Sequence, residues 1–354
     1  MLKDLLVIET ASVLAGPAVG MFFAELGARV IKIENKCTGG DVTRKWKLPQ
    51  EDASSSVSAY FSSVNWGKEH RMLDLTDPSD RSVFDALLKD ADVLITNHLA
   101  ADVEKLGLQR DRLRALNPRL VHAHIKGFAN DESRVAYDVV LQAESGYISM
   151  TGTSDHVSKL PVAIVDILAA HQLKEGILIA LLQRDDSGKG AYVEVALDEA
   201  ALTGLVNQAS NHLMTGAIAS PMGTLHPNIA PYGELFTCSD GGRIVLAVGS
   251  NEQFKSLGTV LGLHDLHRDQ HFSTNAKRVK NRNVLAQMLA STIVSRERDA
   301  LLNALNAAGV PAGAVRALDE VMATRAAQRM VLEEMVDGVR TLRVSGNAFR
   351  IEQA

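Results

Sequence analysis

Asp166 is the residue whose setting most suggests chemistry. It follows the apolar run Pro161–Val165 and opens a long pattern in which Leu173, Ile177, Leu178 and Leu181 fall at helical spacing. Two readings share the same physics. An Asp at a helix start caps an orphan backbone N–H. A carboxylate there is also held ionised by the helix dipole and the free N–H groups, which suits a nucleophile at neutral pH. Those N–H groups would further stabilise the oxyanion formed when it attacks a carbonyl. Spacing alone does not separate the cap from the nucleophile. Other candidates carry less. His122 and His124 alternate on a strand pattern, so both can face one side and hold a metal, but the sequence nominates no further ligand. Two histidines facing solvent or a neighbouring element are the simpler explanation of that pair. His226 stands beside Pro227 and Asn228 in a Gly/Pro-rich loop, a setting where function concentrates. Glu34, at the end of a strand pattern, occupies the place of a dinucleotide's ribose ligand. The loop after the first strand reads Thr-Ala-Ser-Val-Leu-Ala-Gly-Pro, however, and lacks the G-x-G-x-x-G that lets a pyrophosphate approach the backbone. No Walker loop and no G-x-S-x-G elbow appear.

The elements that must position these residues alternate. Leu5–Glu9 reads as a strand and Pro17 sits in the first turn of a helix running to Leu26. Gly27 stops that helix, and Val30–Glu34 is a second strand. Helix Ser79–Lys89 precedes strand Asp92–Thr96, and helix Asp111–Leu116 precedes strand Leu120–Ile125. This succession predicts an open α/β sheet with parallel crossovers and ligands beyond the strands' carboxyl ends. The turn Asp185–Gly190 ends the helix that Asp166 opens, and Ala191–Leu197 resumes a strand. Met214–Tyr232, rich in Gly, Pro, Ser and Asn, reads as a loop or linker. A second α/β portion follows, with strand Arg243–Val248 and helices near Asn251–Leu261 and Asn283–Asn306. The chain from Val315 onward returns to helix and then strand (Thr341–Val344).

Composition narrows the class without choosing a function. The 354 residues are 46% hydrophobic and 22% charged, as in a globular protein with a sizeable core. A formal charge of −5 argues against a general nucleic-acid binder. No signal peptide opens the sequence, and the most apolar stretch, Val162–Leu182, is broken by Asp166, His171, Lys174 and Glu175, so no membrane span is expected. Cys37 and Cys238 lie far apart and form no metal or redox spacing; a reducing cytoplasm is the expected setting.

Several segments together resemble the class III CoA-transferase family, the group of formyl-CoA transferase and carnitine CoA-transferase. They are "LLVIETASVLAGPAVGMFFAELGARVIKIE", "GGDVTRKW", "NWGKEHRMLDL", "ADVLITNHLAADVEKLGL", "LNPRLVHAHIKGF", "YDVVLQAESGYISMTG", "RDDSGKGAYVEVAL", "HPNIAPY" and "AAGVPAGAV". Each is modest alone, and they occur in family order over nearly the whole chain. The resemblance implies an open Rossmann-like parallel sheet domain plus a smaller α/β domain, in a homodimer of two chains linked like rings. The implied boundaries are 1–200 for a large CoA-binding domain, 201–232 for a linker, 233–314 for the small domain and 315–354 for a segment returning to the large one.

The resemblance places Asp166 on the family's catalytic aspartate, which carries first the acyl group and then CoA. It implies no permanently bound cofactor; coenzyme A and acyl-CoA are substrates, together with a small carboxylic acid. The CoA positions fall on Leu14, Ala15, Asn35, Asn65, Lys68, Asn97, His98, Lys105, Lys126 and Gly127. Lysines 68, 105 and 126 would meet CoA phosphates as point charges. Trp46, Tyr137, Gln142 and His226 are the implied substrate neighbours. Formyl-CoA transferase has Gln at the position of Leu14 and Arg at those of Asn35 and Lys105, and its run of consecutive glycines is replaced here by Gly223–Tyr232 with His226. The related α-methylacyl-CoA racemases carry Gly-His-Asp where this chain has Ala136-Tyr137-Asp138. A tyrosine, with an ordinary pKa of about 10, is a poor base in place of that imidazole. A CoA-binding protein without catalysis is the remaining alternative, against which Asp166, Tyr137, Gln142 and the lysines argue.

Overall fold

The computed structural model describes residues 2–352. The chain divides into two compact units, residues 1–149, 159–219 and 329–354 in the first and residues 150–158 and 220–328 in the second.

In the first unit β1 (Leu6–Glu9), β2 (Arg29–Asn35), β3 (Lys68–Leu73), β4 (Val93–Thr96), β5 (Val121–Lys126) and β6 (Tyr192–Ala196) form one sheet in the order β3-β2-β1-β4-β5-β6. Every neighbouring pair is parallel. The chain therefore crosses back through helices, α1 (Ala15–Glu25), α2 (Pro78–Asp90), α3 (Arg110–Leu116), α4 (Asp138–Glu144) and α5 (Ile164–Ser187), and α6 (Leu197–Thr203) follows the last strand. Local chemistry sets their limits. The Asp77 carboxylate accepts from the N–H groups of Ser79 and Asp80, and Pro78 occupies the first turn of α2 at no hydrogen-bond cost. Alternation along β1 sends Val7 to one face, where it packs with Val19, Phe23, Ala169 and Leu173 of α1 and α5. Ile8 goes to the other face, with Phe84, Leu88 and Leu94. Strand order reverses between β1 and β4, so the loops leaving their carboxyl ends diverge and open a crevice.

A further helix, α7 (Val206–Thr215), lies within the stretch expected to be linker and has no buried residue. The second unit is built on an antiparallel sheet of β7 (Tyr232–Thr237), β8 (Arg243–Ala247) and β9 (Ala312–Val315) with α8 (Asn251–Leu261), α9 (Arg282–Ile293) and α10 (Arg298–Ala307). Its own core gathers Phe236, Ile244, Leu246, Phe254 and Leu257. The hairpin β10 (Val331–Val336) and β11 (Val339–Val344) belongs to the first unit. Asp337 at its turn pairs with Arg44 at 2.9 Å, Glu334 accepts from Gly67 N–H at 3.0 Å, and Arg343 pairs with Glu25.

The division differs from the expected boundaries. Residues 201–219 belong to the first unit and are mostly helical, because α6 and α7 follow directly from β6. The second unit runs on to Gln328 and takes in residues 150–158. Among the described residues no helix is long and apolar enough to cross a membrane.

Candidate active site

The crevice holds two adjoining cavities that share Ser12 and His98. One, of about 360 Å³, is bordered by the start of α1, the ends of β4 and β5, Tyr137 and Asp166. The other, of about 540 Å³, runs past the ends of β1 and β2 toward Lys45 and Lys105.

Asp166 lies in the first turn of α5 and is 8% exposed. The helix begins at Ile164 and its N-cap position is Ala163, so the cap reading of Asp166 does not hold: it is the third residue of the helix. The cap is supplied from α4 instead. Asp138 Oδ1 accepts the N–H of Val165 at 2.7 Å, and its Oδ2 accepts from Gln142 Nε2 at 2.6 Å. Gln142 Oε1 then accepts the N–H of Leu160 at 2.8 Å. Gln142 is fully buried and its amide is consumed in holding α4 to the chain that enters α5, so it presents nothing to the cavity. The second correction concerns charge. Burial first, and the Asp138 carboxylate second, push the Asp166 pKa up to about 7, overriding the dipole expected to keep it ionised. Tyr60 responds to the same charges: burial, then Asp166, Asp138 and Asp41, raise its hydroxyl to about 12, so it stays a neutral donor beside the carboxylates. Tyr60 packs edge-on against Trp46 at 5.1 Å between ring centroids. The sequence offered no motif for Tyr60.

At the crevice floor Asn97 uses its whole amide on the β1–α1 loop. Its Oδ1 accepts Ser12 N–H at 3.1 Å and its Nδ2 donates to Ser12 C=O at 2.9 Å. Leu14 and Ala15 line the smaller cavity at the start of α1, which has no side-chain cap. His98 lines both cavities and shares a 2.9 Å hydrogen bond with Thr10; burial lowers its pKa to about 4. His122 and His124 do face one side of β5, where both hydrogen-bond the Thr96 hydroxyl. Burial lowers them to about 3 and about 4, so they are neutral. Among the described residues no group of three or more metal-ligating side chains occurs.

The expected phosphate-binding lysines separate. Lys105 and Asn35 are exposed along the larger cavity, with Asn35 also accepting from Cys37 N–H. Lys126 lies with Gly127 on the smaller cavity, but its ammonium pairs with Glu194 at 2.7 Å. Lys68 faces neither cavity. Its buried ammonium contacts Glu9 at 2.8 Å, Pro17 C=O at 2.9 Å and Asn65 Oδ1 at 3.0 Å. Lys32 completes the cluster through Glu9 at 2.9 Å and Asp41 at 3.1 Å. Lys68 and Asn65 therefore hold β3 and α1 together beneath the site and line neither cavity. Tyr137 is half exposed at the cavity edge. His226 belongs to the second unit, where its Nδ1 accepts from Asn228 N–H at 3.1 Å and its ring packs on Tyr232.

The CoA-transferase family III model matches residues 2–354. The chain is 35% identical to the succinate–glutarate CoA-transferase of Agrobacterium fabrum, over 96% of this chain and 88% of that protein. It is 33% identical to the acetyl-CoA:oxalate CoA-transferase of Acetobacter aceti, over 87% of this chain and 79% of that one. A crystal structure of a CaiB/BaiF family protein from Brucella suis superimposes with a TM-score of 0.86 at 35% identity, covering 99% of this chain and 92% of that one. A buried carboxylate on a parallel-sheet crevice thus sits within a chain related to CoA-transferases from end to end, and the protein belongs to CoA-transferase family III.

Proposed function

We propose that the enzyme moves CoA from an acyl-CoA thioester to a small carboxylic acid, with Asp166 as the covalent carrier. The observation that carries this reading is the setting of Asp166: buried, accepting no hydrogen bond from the described residues, and directed at a cavity between helix N-termini. An Asp166 oxygen attacks the donor thioester carbon, the C–S bond breaks, and an aspartyl–acyl anhydride and CoA thiolate result. The thiolate attacks Asp166 Cγ and expels the donor acid, leaving an aspartyl-CoA thioester. The acceptor carboxylate attacks the same Cγ and releases thiolate, which attacks the acceptor carbonyl and frees Asp166. The positive end of α1 faces the oxyanions of these steps, where preorganised N–H groups are most effective. CoA extends into the larger cavity, with Lys105 beside its phosphates and Asn35 and His98 along it. No resident cofactor is required.

The relatives' names support a short dicarboxylate or similar small acid as donor and acceptor. We also propose a homodimer of interlocked chains, in which α7 is covered by the second copy: Leu213 and Met214 are 82% and 84% exposed in the single chain. Sedimentation at micromolar concentration should give twice the chain mass, and a monomer would remove this part of the proposal. Two unpaired cysteines suit a reducing, cytoplasmic setting.

The chemical test is mass spectrometry after incubation with succinyl-CoA or acetyl-CoA and quenching with hydroxylamine. A hydroxamate on the Asp166 peptide, missing in Asp166→Ala, is the expected result. Modification elsewhere, or no modification with α-proton exchange on a 2-methylacyl-CoA, would refute the covalent reading.

A further inference from the structure

Val13 adopts a φ of 73°, a left-handed conformation that β-branched residues rarely enter. It sits in the loop that turns β1 into α1, immediately before Leu14 and Ala15 of the cavity wall. Such strain persists only where the surroundings over-determine it, and here the agent is visible. The Asp41 carboxylate accepts the Val13 N–H at 3.2 Å to Oδ2, and the same group accepts Thr43 N–H at 3.0 Å and the Thr43 hydroxyl at 2.8 Å. Lys32 fixes Asp41 from below at 3.1 Å. Asp41 is itself placed by its own N–H, which donates to Glu34 at 2.8 Å. The preceding Gly40, at φ 96°, approaches Glu34 so closely that an added Cβ would lie 2.6 Å from the carboxylate. The turn before Asp41 is thus built to deliver one carboxylate to one strained N–H.

We propose that Asp41 is a positioning residue for CoA transfer: it holds Val13 left-handed and thereby aims the first turn of α1 at the reacting carbonyl. Asp41 lies in the wall of the larger cavity, but its side chain is only 1% exposed and its oxygens are spent on Val13, Thr43 and Lys32. Its effect passes through the backbone of Val13, while Asn97 secures the neighbouring Ser12. The inference rests on the reading that Asp166 reacts in the same cavity.

The consequence is a specific coupling. Glycine adopts a positive φ without steric cost, so a chain with Val13→Gly needs Asp41 far less. Asp41→Ala should lower kcat for acyl-CoA to carboxylate transfer about tenfold or more in the native background. In the Val13→Gly background the same substitution should cost less than about threefold. Asp41→Asn keeps the side-chain shape but offers one acceptor oxygen to three donors; it should repeat the pattern at smaller size and serves if the alanine variant does not fold. A purely structural role for Asp41 predicts equal losses in both backgrounds, and that result, or no loss in either, would overturn the proposal. Hydroxamate trapping on the native enzyme is scored separately. Its failure alongside intact coupling would remove Asp166 as carrier and leave Asp41 as positioner; trapping without coupling would do the reverse.

Discussion

The Asp166 carboxyl combines two properties that usually oppose each other, helix-terminal position and raised proton affinity. With its pKa pushed up to about 7, the proposed nucleophile must lose a proton before attack, so kcat/KM should rise with pH through that value and level off above it. Asp138 supplies the second push, so Asp138→Asn, which keeps an acceptor for Val165, should move this rise to lower pH. A rise unmoved in Asp138→Asn would count against the assignment. Stability follows the opposite course. A carboxyl whose folded pKa lies above its ordinary 3.8 favours the folded state most fully below that value and loses the advantage as pH climbs through 7. Asp166→Asn is free of this loss, so thermal unfolding should find it more stable than the native chain at pH 8, by on the order of 2–4 kcal/mol, with the difference closing toward pH 4.

Elements explain why these groups stand where they do. α1 crosses Glu9 at Gly20, where an added Cβ would fall 1.9 Å from Glu9 Oε2. Gly20→Ala should therefore cost about 1–3 kcal/mol in unfolding by denaturant, because Glu9 is locked between Lys32 and Lys68 and has nowhere to retreat. The start of α5 depends on α4: Asp138→Ala removes its cap and should cost about 1 kcal/mol. The sequence made the β1–α1–β2 unit legible because apolar runs there are bounded by Pro17 and Gly27. β3 went unread, since Lys-Glu-His-Arg-Met-Leu is an edge strand whose polar residues carry no period that separates it from loop. Lys68 was misjudged for a related reason. A lysine beginning a strand reads alike whether it meets phosphate or Glu9, and only folding brings Glu9, 59 residues away, onto its ammonium.

For the whole molecule, the two units are interleaved in sequence. The hairpin β10–β11 returns to the first unit and closes it through Asp337, Glu334 and Arg343, two of them on buried partners, Arg44 and Glu25. Deleting residues after Gln328 should leave the Glu25 carboxylate without its partner and Arg44 with Glu34 alone, and unfold the first unit, observed as loss of a cooperative melt; a folded truncation would show that the hairpin is dispensable. Family and general fold were legible because nine modest segments recur in order along the chain. The division at residues 150–158 and 219 was not, because it depends on tertiary contacts that leave no compositional break. The same limit applied to Tyr60, whose raised pKa comes from burial and from the carboxylates of Asp166, Asp138 and Asp41 that folding brings to it.

A single carboxylate that carries first the acyl group and then CoA must pass oxygen from the acceptor acid to the donor acid, and oxygen-18 makes that transfer visible. Turnover with an acceptor acid labelled with oxygen-18 in its carboxylate should place label in Asp166, read from its peptide mass. After repeated turnover the label should also appear in the released donor acid, since each cycle hands an Asp166 oxygen to that product. Label confined to the acyl-CoA product and unreacted acceptor, with Asp166 and the donor acid unlabelled, would contradict the covalent route.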